Sequence, residues 1–294
     1  MPGQVYAILC AFIWALSSAL LQSQTYKIHI VSMSTLRTLP ALLLYWGIVL
    51  FSARWDALRH LPPRAWIFLS ASAFLGLVVG DLLYFTSMKL VGLSRAMPIS
   101  ATYPFFTMLL AVLFLGEHLD WATLGGAVLI GGGAYFIAFT QKSKRVKLDI
   151  KASKINLRGI ALAFGAAICW SSSTVMLRIG LEGVDATVAN AIRLSVMVIF
   201  LGPMFLRQNK ISPVETYGQS TLLIIFLSGI IGTGLGTFFF LKAVQLIGAA
   251  RTSILTAMTP LFGIPFSLFL REKLSRRTVL GTVLTITGVW LTIS

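Results

Sequence analysis

Long apolar runs separated by short polar gaps dominate the pattern of this chain. Ten such runs reach about 18 to 23 residues, the length at which an α-helix crosses a hydrocarbon core of about 30 Å. The runs predict membrane-spanning helices at residues 4–22, 32–52, 66–88, 94–115, 121–140, 158–178, 187–206, 220–242, 249–270 and 277–293. Little of the chain remains for a soluble domain, so the pattern predicts an all-α integral membrane protein with ten transmembrane helices.

The pattern occurs twice, at an offset of 156 residues. Trp, Arg and Pro are scarce in this chain, so their coincidence at one offset indicates a duplication. The matched pairs are Trp14 with Trp170, Ser17 with Ser173, Arg37 with Arg193, Gly76 with Gly232, Gly80 with Gly236 and Pro104 with Pro260. Because five helices per copy is an odd number, the second copy must enter the membrane from the opposite side. We therefore predict two inverted five-helix repeats, 1–140 and 158–294, joined by a basic linker at 141–157. Secondary transporters of this architecture bind their substrates near the bilayer midplane.

Composition supports a membrane location, and the charges predict an orientation. Hydrophobic residues make up 57% of the chain and charged residues 11%, with a mean hydropathy of +0.87, whereas soluble domains carry about 25% charged residues. The net charge of +15 would suggest nucleic acid in a soluble protein, but these charges lie in the gaps between apolar runs. Sixteen Lys and Arg fall on one predicted side and six on the other. The positive-inside tendency therefore predicts a cytoplasmic linker and both termini on the outer side.

The two halves resemble the EamA family of the drug/metabolite transporter superfamily. Each half has a Trp-containing first helix and closes with a shared pattern, Tyr103-Pro104 to Leu115-Gly116-Glu117 or Thr259-Pro260 to Leu270-Arg271-Glu272. The resemblance implies a ten-helix carrier of small metabolites, commonly an exporter of amino acids or related solutes. We expect it in a prokaryotic inner or plasma membrane, and the individual solute stays open.

Asp81 is the one carboxylate that lies well inside a predicted span. An ionised acid near the bilayer centre costs about 2.5 to 3.5 kcal/mol on insertion scales, so it should face a wet cavity or a partner. We therefore expect Asp81 to contact a substrate amine or to couple transport to protons. The alternative is a packing residue within a network of Ser and Thr. Its counterpart at the offset is Thr237, so the repeat itself does not require the acid.

Aromatic and small polar residues near the middle of the helices are candidates for a cavity wall. Trp normally prefers the headgroup region, yet Trp14 and Trp170 lie about ten residues into their helices. Tyr84 shares the helical face of Asp81. Tyr103 precedes Pro104, which we expect to bend the interior of the fourth helix. The full candidate set is Trp14, Ser17, Asp81, Tyr84, Tyr103, Trp170, Ser173, Thr237, Phe240 and Thr259. Ordinary helix packing is the alternative for each aromatic.

Arg37 and Arg193 lie several residues into their predicted helices, near opposite faces of the membrane. Long basic side chains in such positions commonly snorkel to the interface. A sharper hypothesis pairs Arg37 with Glu272 and Arg193 with Glu117, as latches that close alternately. The competing role of each glutamate is to stabilise the N-terminus of the helix that follows it.

The sequence lacks the motifs of several other function classes. No Gly-x-x-x-x-Gly-Lys-Ser/Thr phosphate loop is present, which argues against ATP-driven pumping. Three scattered histidines and two cysteines within spans offer no metal-like spacing. We expect an alternating-access transporter whose partners are a small-molecule substrate and the lipid bilayer, with no nucleic acid, no metal and no cofactor. Proton coupling and a homodimer stay open. Broad drug efflux and a membrane-embedded enzyme acting on lipid are the alternatives, although Asp81 has no visible catalytic companion.

Overall fold

The polypeptide folds into helices whose positions follow the apolar runs. The structure, a computed structural model, describes residues 2–22, 24, 28–52, 54–91, 96, 99–140, 157–211, 213–259, 261–262 and 276–293. The first half contains α1 (Gly3–Gln22), α2 (Ile30–Phe51), the short α3 (Trp55–Arg59), α4 (Pro63–Ala73), the π-helical segment π1 (Phe74–Gly80), α5 (Asp81–Val91), α6 (Tyr103–Leu115) and α7 (Trp121–Thr140). The second half contains α8 (Leu157–Gly180), α9 (Ala186–Asn209), a 3₁₀ turn (Val214–Thr216), α10 (Gln219–Ser228), the π-helical segment π2 (Gly229–Gly236), α11 (Thr237–Thr256) and α12 (Arg276–Ile293).

Several of these helices are long and apolar enough to cross a membrane. Among the described residues six helical stretches meet that description: Gly3–Leu21, Ile30–Phe51, Pro63–Met88, Leu157–Gly180, Ala186–Asn209 and Gln219–Thr256. Tyr103–Leu115 and Trp121–Phe136 are shorter apolar helices. The described part of the chain is therefore all-helical, and the protein is a multi-pass integral membrane protein. The predicted count of ten spans stays a prediction, since much of the ninth falls outside the described residues.

Gly248 divides α11 at the place where the sequence predicts a turn between two spans. Its backbone has φ 84° and ψ 175°, a conformation outside the helical region. Glycine adopts a positive φ without steric cost because it has no Cβ. The residues before and after Gly248 are helical, so α11 is two helices joined at a kink.

The predicted fourth span is interrupted directly before Pro104: residues 99–100 are helical, residues 101–102 form a turn, and the next helix begins at Tyr103. The bend expected at this proline is therefore present, as a break between two helical segments. The helix α6 begins at Tyr103, so Pro104 occupies its first turn. The missing amide of proline costs no intrahelical hydrogen bond at that position. Interior prolines are instead Pro40 in α2 and Pro203 in α9.

Helices of one half pack mainly on helices of the other. Helix α1 lies against π2 and α11, and α8 lies against α4, π1 and α5. Helix α2 packs on α9, and α7 packs on α12. The α7–α12 contact is close because it uses glycines: a Cβ on Gly126 would lie 2.7 Å from the carbonyl oxygen of Gly288. Small residues of this kind let helix backbones approach each other in membranes.

Candidate functional site

The first helix of each half docks onto the π-helical segment of the other half. The Ser17 hydroxyl donates a hydrogen bond to the Ser228 carbonyl at 3.1 Å, and the Ser173 hydroxyl donates to the Ser72 carbonyl at 2.7 Å. These two bonds are related by the offset of 156 residues. Both serines are buried in this helix packing.

Glycines in the π segments make this docking possible. A Cβ on Gly76 would overlap the Ser173 side chain, and a Cβ on Gly232 would overlap Ser17. π-helical turns interrupt the regular hydrogen-bond ladder of an α-helix and are frequent at functional sites. The segments π1 and π2 were not anticipated, although their glycines had been matched by the offset.

Each docked helix places a tryptophan against a ring from the opposite half. The ring centroids of Trp170 and Tyr84 lie 5.3 Å apart, and those of Trp14 and Phe240 also lie 5.3 Å apart. Tyr103 adds an edge-to-face contact with Trp170 at 6.2 Å. The structure thus brings five of the predicted cavity residues into two matched aromatic groups.

The two groups differ in their polar partner. The indole nitrogen of Trp170 donates a hydrogen bond to Asp81 Oδ1 at 3.0 Å. Trp14 makes no such bond within the described part of the chain, because Thr237 occupies the position that corresponds to Asp81. The acid therefore distinguishes one side of the site from the other. Thr237 and Phe240 are both buried.

Asp81 also lies within electrostatic range of Arg37 and Arg193, which come from α2 and α9. The Nε atom of Arg37 donates to the Thr233 hydroxyl at 2.9 Å. Arg193 is only 3% exposed, and its Nε atom has no hydrogen-bond partner among the described residues. Snorkelling to the interface is therefore wrong for Arg193: its side chain is directed into the protein.

The predicted pairing of Arg193 with Glu117 is not formed in this structure. Glu117 accepts hydrogen bonds from the backbone amides of Ala249 at 2.7 Å and Ala250 at 3.0 Å. These amides begin the helix that follows Gly248, so the glutamate caps a helix of the other half through charge and hydrogen bonds. Glu272, the predicted partner of Arg37, lies outside the described residues.

Tyr103 connects the aromatic group around Trp170 to α11. Its hydroxyl lies 2.7 Å from the Thr256 hydroxyl and donates to the Ser253 carbonyl at 3.2 Å. Its own carbonyl accepts a hydrogen bond from the Ser171 hydroxyl at 2.7 Å. Thr259 lies beyond this group and donates to the Thr256 carbonyl at 2.7 Å. These contacts link α6, α8 and α11 around the site.

A cavity of about 430 Å³ lies elsewhere, between the ends of α6, α8 and the Gly248 kink. Glu117 lines this cavity, but none of the ten predicted cavity residues does. Its other charged groups include Arg251, which pairs with the exposed Asp120 at 2.9 Å. We place the candidate site at Asp81 instead, because ionisable residues inside membrane-spanning helices are costly and commonly mark a substrate or ion pathway. The described residues contain no group of three or more His, Cys, Asp or Glu that could hold a metal ion.

Comparison with known proteins agrees with this architecture. The sequence profile of the EamA-like transporter family matches residues 1–139 and 157–294. An "Uncharacterized transporter" of Archaeoglobus fulgidus is 25% identical over 241 residues, which cover 80% of each chain. An "Uncharacterized transporter in cobO 3'region" of Sinorhizobium sp. is 30% identical over 137 residues, which cover 46% of this chain and 95% of that one. A protein of known crystal structure shares the fold, with a TM-score of 0.78, 17% identity, and coverage of 98% of this chain and 95% of that chain. The chain therefore belongs to the EamA-like transporter family.

Proposed function

We propose that this protein is a secondary carrier that exports small polar or amphipathic metabolites by alternating access. The observation that carries the proposal is the reciprocal docking of α1 on π2 and of α8 on π1. Ser17 and Ser173 make equivalent hydrogen bonds across the two halves. A site shared by two related halves is the arrangement in which rocking of one half against the other exposes a substrate to alternate sides.

The proposal includes ten spans arranged as two inverted five-helix repeats. The offset of 156 residues relates contacts as well as residue types: Trp170 on Tyr84 corresponds to Trp14 on Phe240. An odd number of spans per half makes the second half enter the membrane from the opposite side. We also propose a prokaryotic inner or plasma membrane, with the basic linker cytoplasmic and both termini outside, from the distribution of Lys and Arg.

The substrate site lies around Asp81, Trp170, Tyr84 and Tyr103. Buried charges in a membrane protein are costly and mark substrate or ion pathways. The aromatic rings supply apolar contact area, and the charges supply orientation. In this proposal the described conformation is one in which the site is closed, since Arg193 is 3% exposed.

Transport into proteoliposomes tests the proposal. Purified full-length protein is reconstituted, and uptake is measured for a panel of amino acids, organic anions and organic cations, with and without a pH gradient. We expect saturable uptake of one chemical class above that of protein-free vesicles. Flux that is linear in concentration for every solute would contradict a carrier. Chemical conversion of a solute or lipid without flux would favour an enzyme instead.

A further inference from the structure

The charges clustered around Asp81 do not balance within the described part of the chain. Arg37 and Arg193 each carry a guanidinium group, which stays protonated in proteins. Asp81 is the one carboxylate among the described residues that acts electrostatically on either of them. Among the described residues the cluster therefore holds one positive charge in excess. A buried charge without a partner costs several kcal/mol, so such an excess calls for an anion.

The unbalanced charge is located at Arg193. Arg37 is satisfied at Nε by the Thr233 hydroxyl. The position that corresponds to Thr233 for Arg193, by the offset of 156, is Leu77, and Leu77 packs against an apolar cluster that includes Val78. The sequence difference between Thr233 and Leu77 thus explains why the Nε atom of Arg193 has no partner. The Nε–H of Arg37 thus donates to a protein hydroxyl, whereas the Nε–H of Arg193 has no acceptor among the described residues.

Asp81 already interacts with Trp170 and with two arginines, and these partners limit which charged group of a ligand it can bind. It accepts a hydrogen bond from Trp170 at 3.0 Å and faces two guanidinium groups. A substrate ammonium group would have to compete with both arginines for this carboxylate. The sequence-based expectation that Asp81 contacts a substrate amine is therefore not the arrangement that the charges favour.

An apolar wall adjoins the charged cluster. The Trp170 ring lies 5.3 Å from Tyr84 and 6.2 Å from Tyr103, and Trp170 is also the residue that bonds Asp81. A ligand that reaches Arg193 with a charged head could therefore place its apolar part along these rings. The planar donor fork of arginine matches a carboxylate better than it matches a simple halide.

We propose, on the basis of the transporter function above, that the site binds a monoanionic organic acid whose carboxylate is bound by Arg193. The apolar part of the ligand lies against Trp170 and Tyr84. The anion neutralises the excess positive charge and accepts a hydrogen bond from the unpaired Nε–H group of Arg193. The site accordingly prefers an anion over a zwitterion of the same shape, and a zwitterion over a cation.

Three probes that share one phenyl group and a similar chain test this order: 3-phenylpropionate, phenylalanine and phenethylamine. Near pH 7 they are an anion, a zwitterion and a cation. Binding to purified full-length protein in detergent is measured by isothermal titration calorimetry. We expect 3-phenylpropionate to bind at least tenfold more tightly than phenylalanine, and phenethylamine to bind most weakly.

Two substitutions and a matched control assign the effect to Arg193. Arg193→Gln should weaken the binding of 3-phenylpropionate at least tenfold, and the binding of phenethylamine should be unchanged or tighter. Arg193→Lys, which keeps the charge but loses the planar fork, should give an intermediate loss. Arg54→Gln removes an arginine from a partly exposed ion pair with Asp185 and should leave all three affinities unchanged. Should Arg193→Gln fail to fold, the wild-type probe order and Arg193→Lys still decide the question.

Specific outcomes overturn the inference. These are equal affinity of wild type and Arg193→Lys for 3-phenylpropionate, a wild-type preference for phenethylamine, or no binding of 3-phenylpropionate at millimolar concentration. The proposed function fails separately, when no solute of the proteoliposome panel shows saturable uptake. A carrier that moves only cations would thus keep the proposed function and overturn the anion site.

Discussion

Replacing either partly buried tryptophan, Trp14 or Trp170, by phenylalanine separates one hydrogen bond from the packing around it. Trp170→Phe keeps an aromatic ring against Tyr84 but removes the N–H that donates to Asp81. Trp14→Phe makes the same change against Phe240, where the described residues provide no acceptor. The loss of ring area is common to both variants, so the difference between them reports the hydrogen bond.

The size of the expected stability difference follows from the charge of the acceptor, the Asp81 carboxylate. A hydrogen bond to a charged group contributes about 1.5 to 3 kcal/mol, and an acceptor left without its donor loses a similar amount. We expect Trp170→Phe to lower the free energy of unfolding by about 1 to 3 kcal/mol more than Trp14→Phe does. The same loss should reduce saturable uptake in proteoliposomes by about tenfold or more if Asp81 must be held in place, since 1.4 kcal/mol corresponds to tenfold.

Two measurements test the importance of the Trp170–Asp81 hydrogen bond. Thermal unfolding of the purified variants in one detergent gives the stability difference, and uptake at matched protein density gives the functional one. Equal midpoints and equal uptake for the two variants would refute the importance of the Trp170–Asp81 bond. A larger loss in Trp14→Phe would show that the aromatic contact, and not the hydrogen bond, dominates.

Three further predictions concern stability and can be checked by thermal unfolding in detergent. Gly133→Ala would bring a Cβ to 2.5 Å from a carbonyl oxygen of α12, whereas Gly132→Ala meets nothing within 4 Å. Overpacking costs about 1 to 3 kcal/mol, so the first variant should unfold at a lower temperature than the second, and equal midpoints would contradict the close α7–α12 contact. Glu117→Gln keeps the shape but removes the charge and one of the two oxygens that accept from Ala249 and Ala250, and should cost about 1 kcal/mol; an unchanged midpoint would contradict the stabilising cap. Burial would raise the pKa of Asp185, but hydrogen bonds from Val188 and Thr187 and the charge of Arg54 bring that pKa below 3.8 overall. The stabilisation by Asp185 is therefore full above pH 3.8 and is lost as the pH falls through the lower folded-state pKa, so the stability gap between wild type and Asp185→Ala should shrink only below about pH 4.

Hydrophobic length was sufficient to predict the approximate positions of the long helices that the structure describes. A run of about 20 apolar residues has few alternatives to a spanning helix in a membrane, because every backbone group must find its hydrogen bond internally. The predicted run at 187–206 lies within α9, and the predicted break before residue 249 is the kink at Gly248. The predicted span at 94–115 is divided by a turn at residues 101–102, next to Pro104, so the proline marked the bend but the sequence did not show that the bend would separate two helices.

The candidate site was only partly visible in the sequence. Asp81 and Trp170 were identified separately, because each is an unusual residue for the middle of a span. Their hydrogen bond joins residues 89 positions apart, which no local pattern encodes. The burial of Arg193 was missed for a similar reason: snorkelling or burial depends on what the opposite half places beside the helix. The difference between Thr233 and Leu77 was present in the aligned halves, but it acquires meaning only once Thr233 is seen to bond Arg37.

The reciprocal docking of the first helices also has a consequence for biosynthesis. Ser17 and the carbonyl that it bonds are 211 residues apart in the chain. At a synthesis rate of about 5 to 20 residues per second, α1 waits for tens of seconds before π2 is made. During that interval the Trp14 and Ser17 face of α1 has no native neighbour from the second half. Lipid, insertion factors or a temporary helix contact must cover this face while the ribosome is still at work.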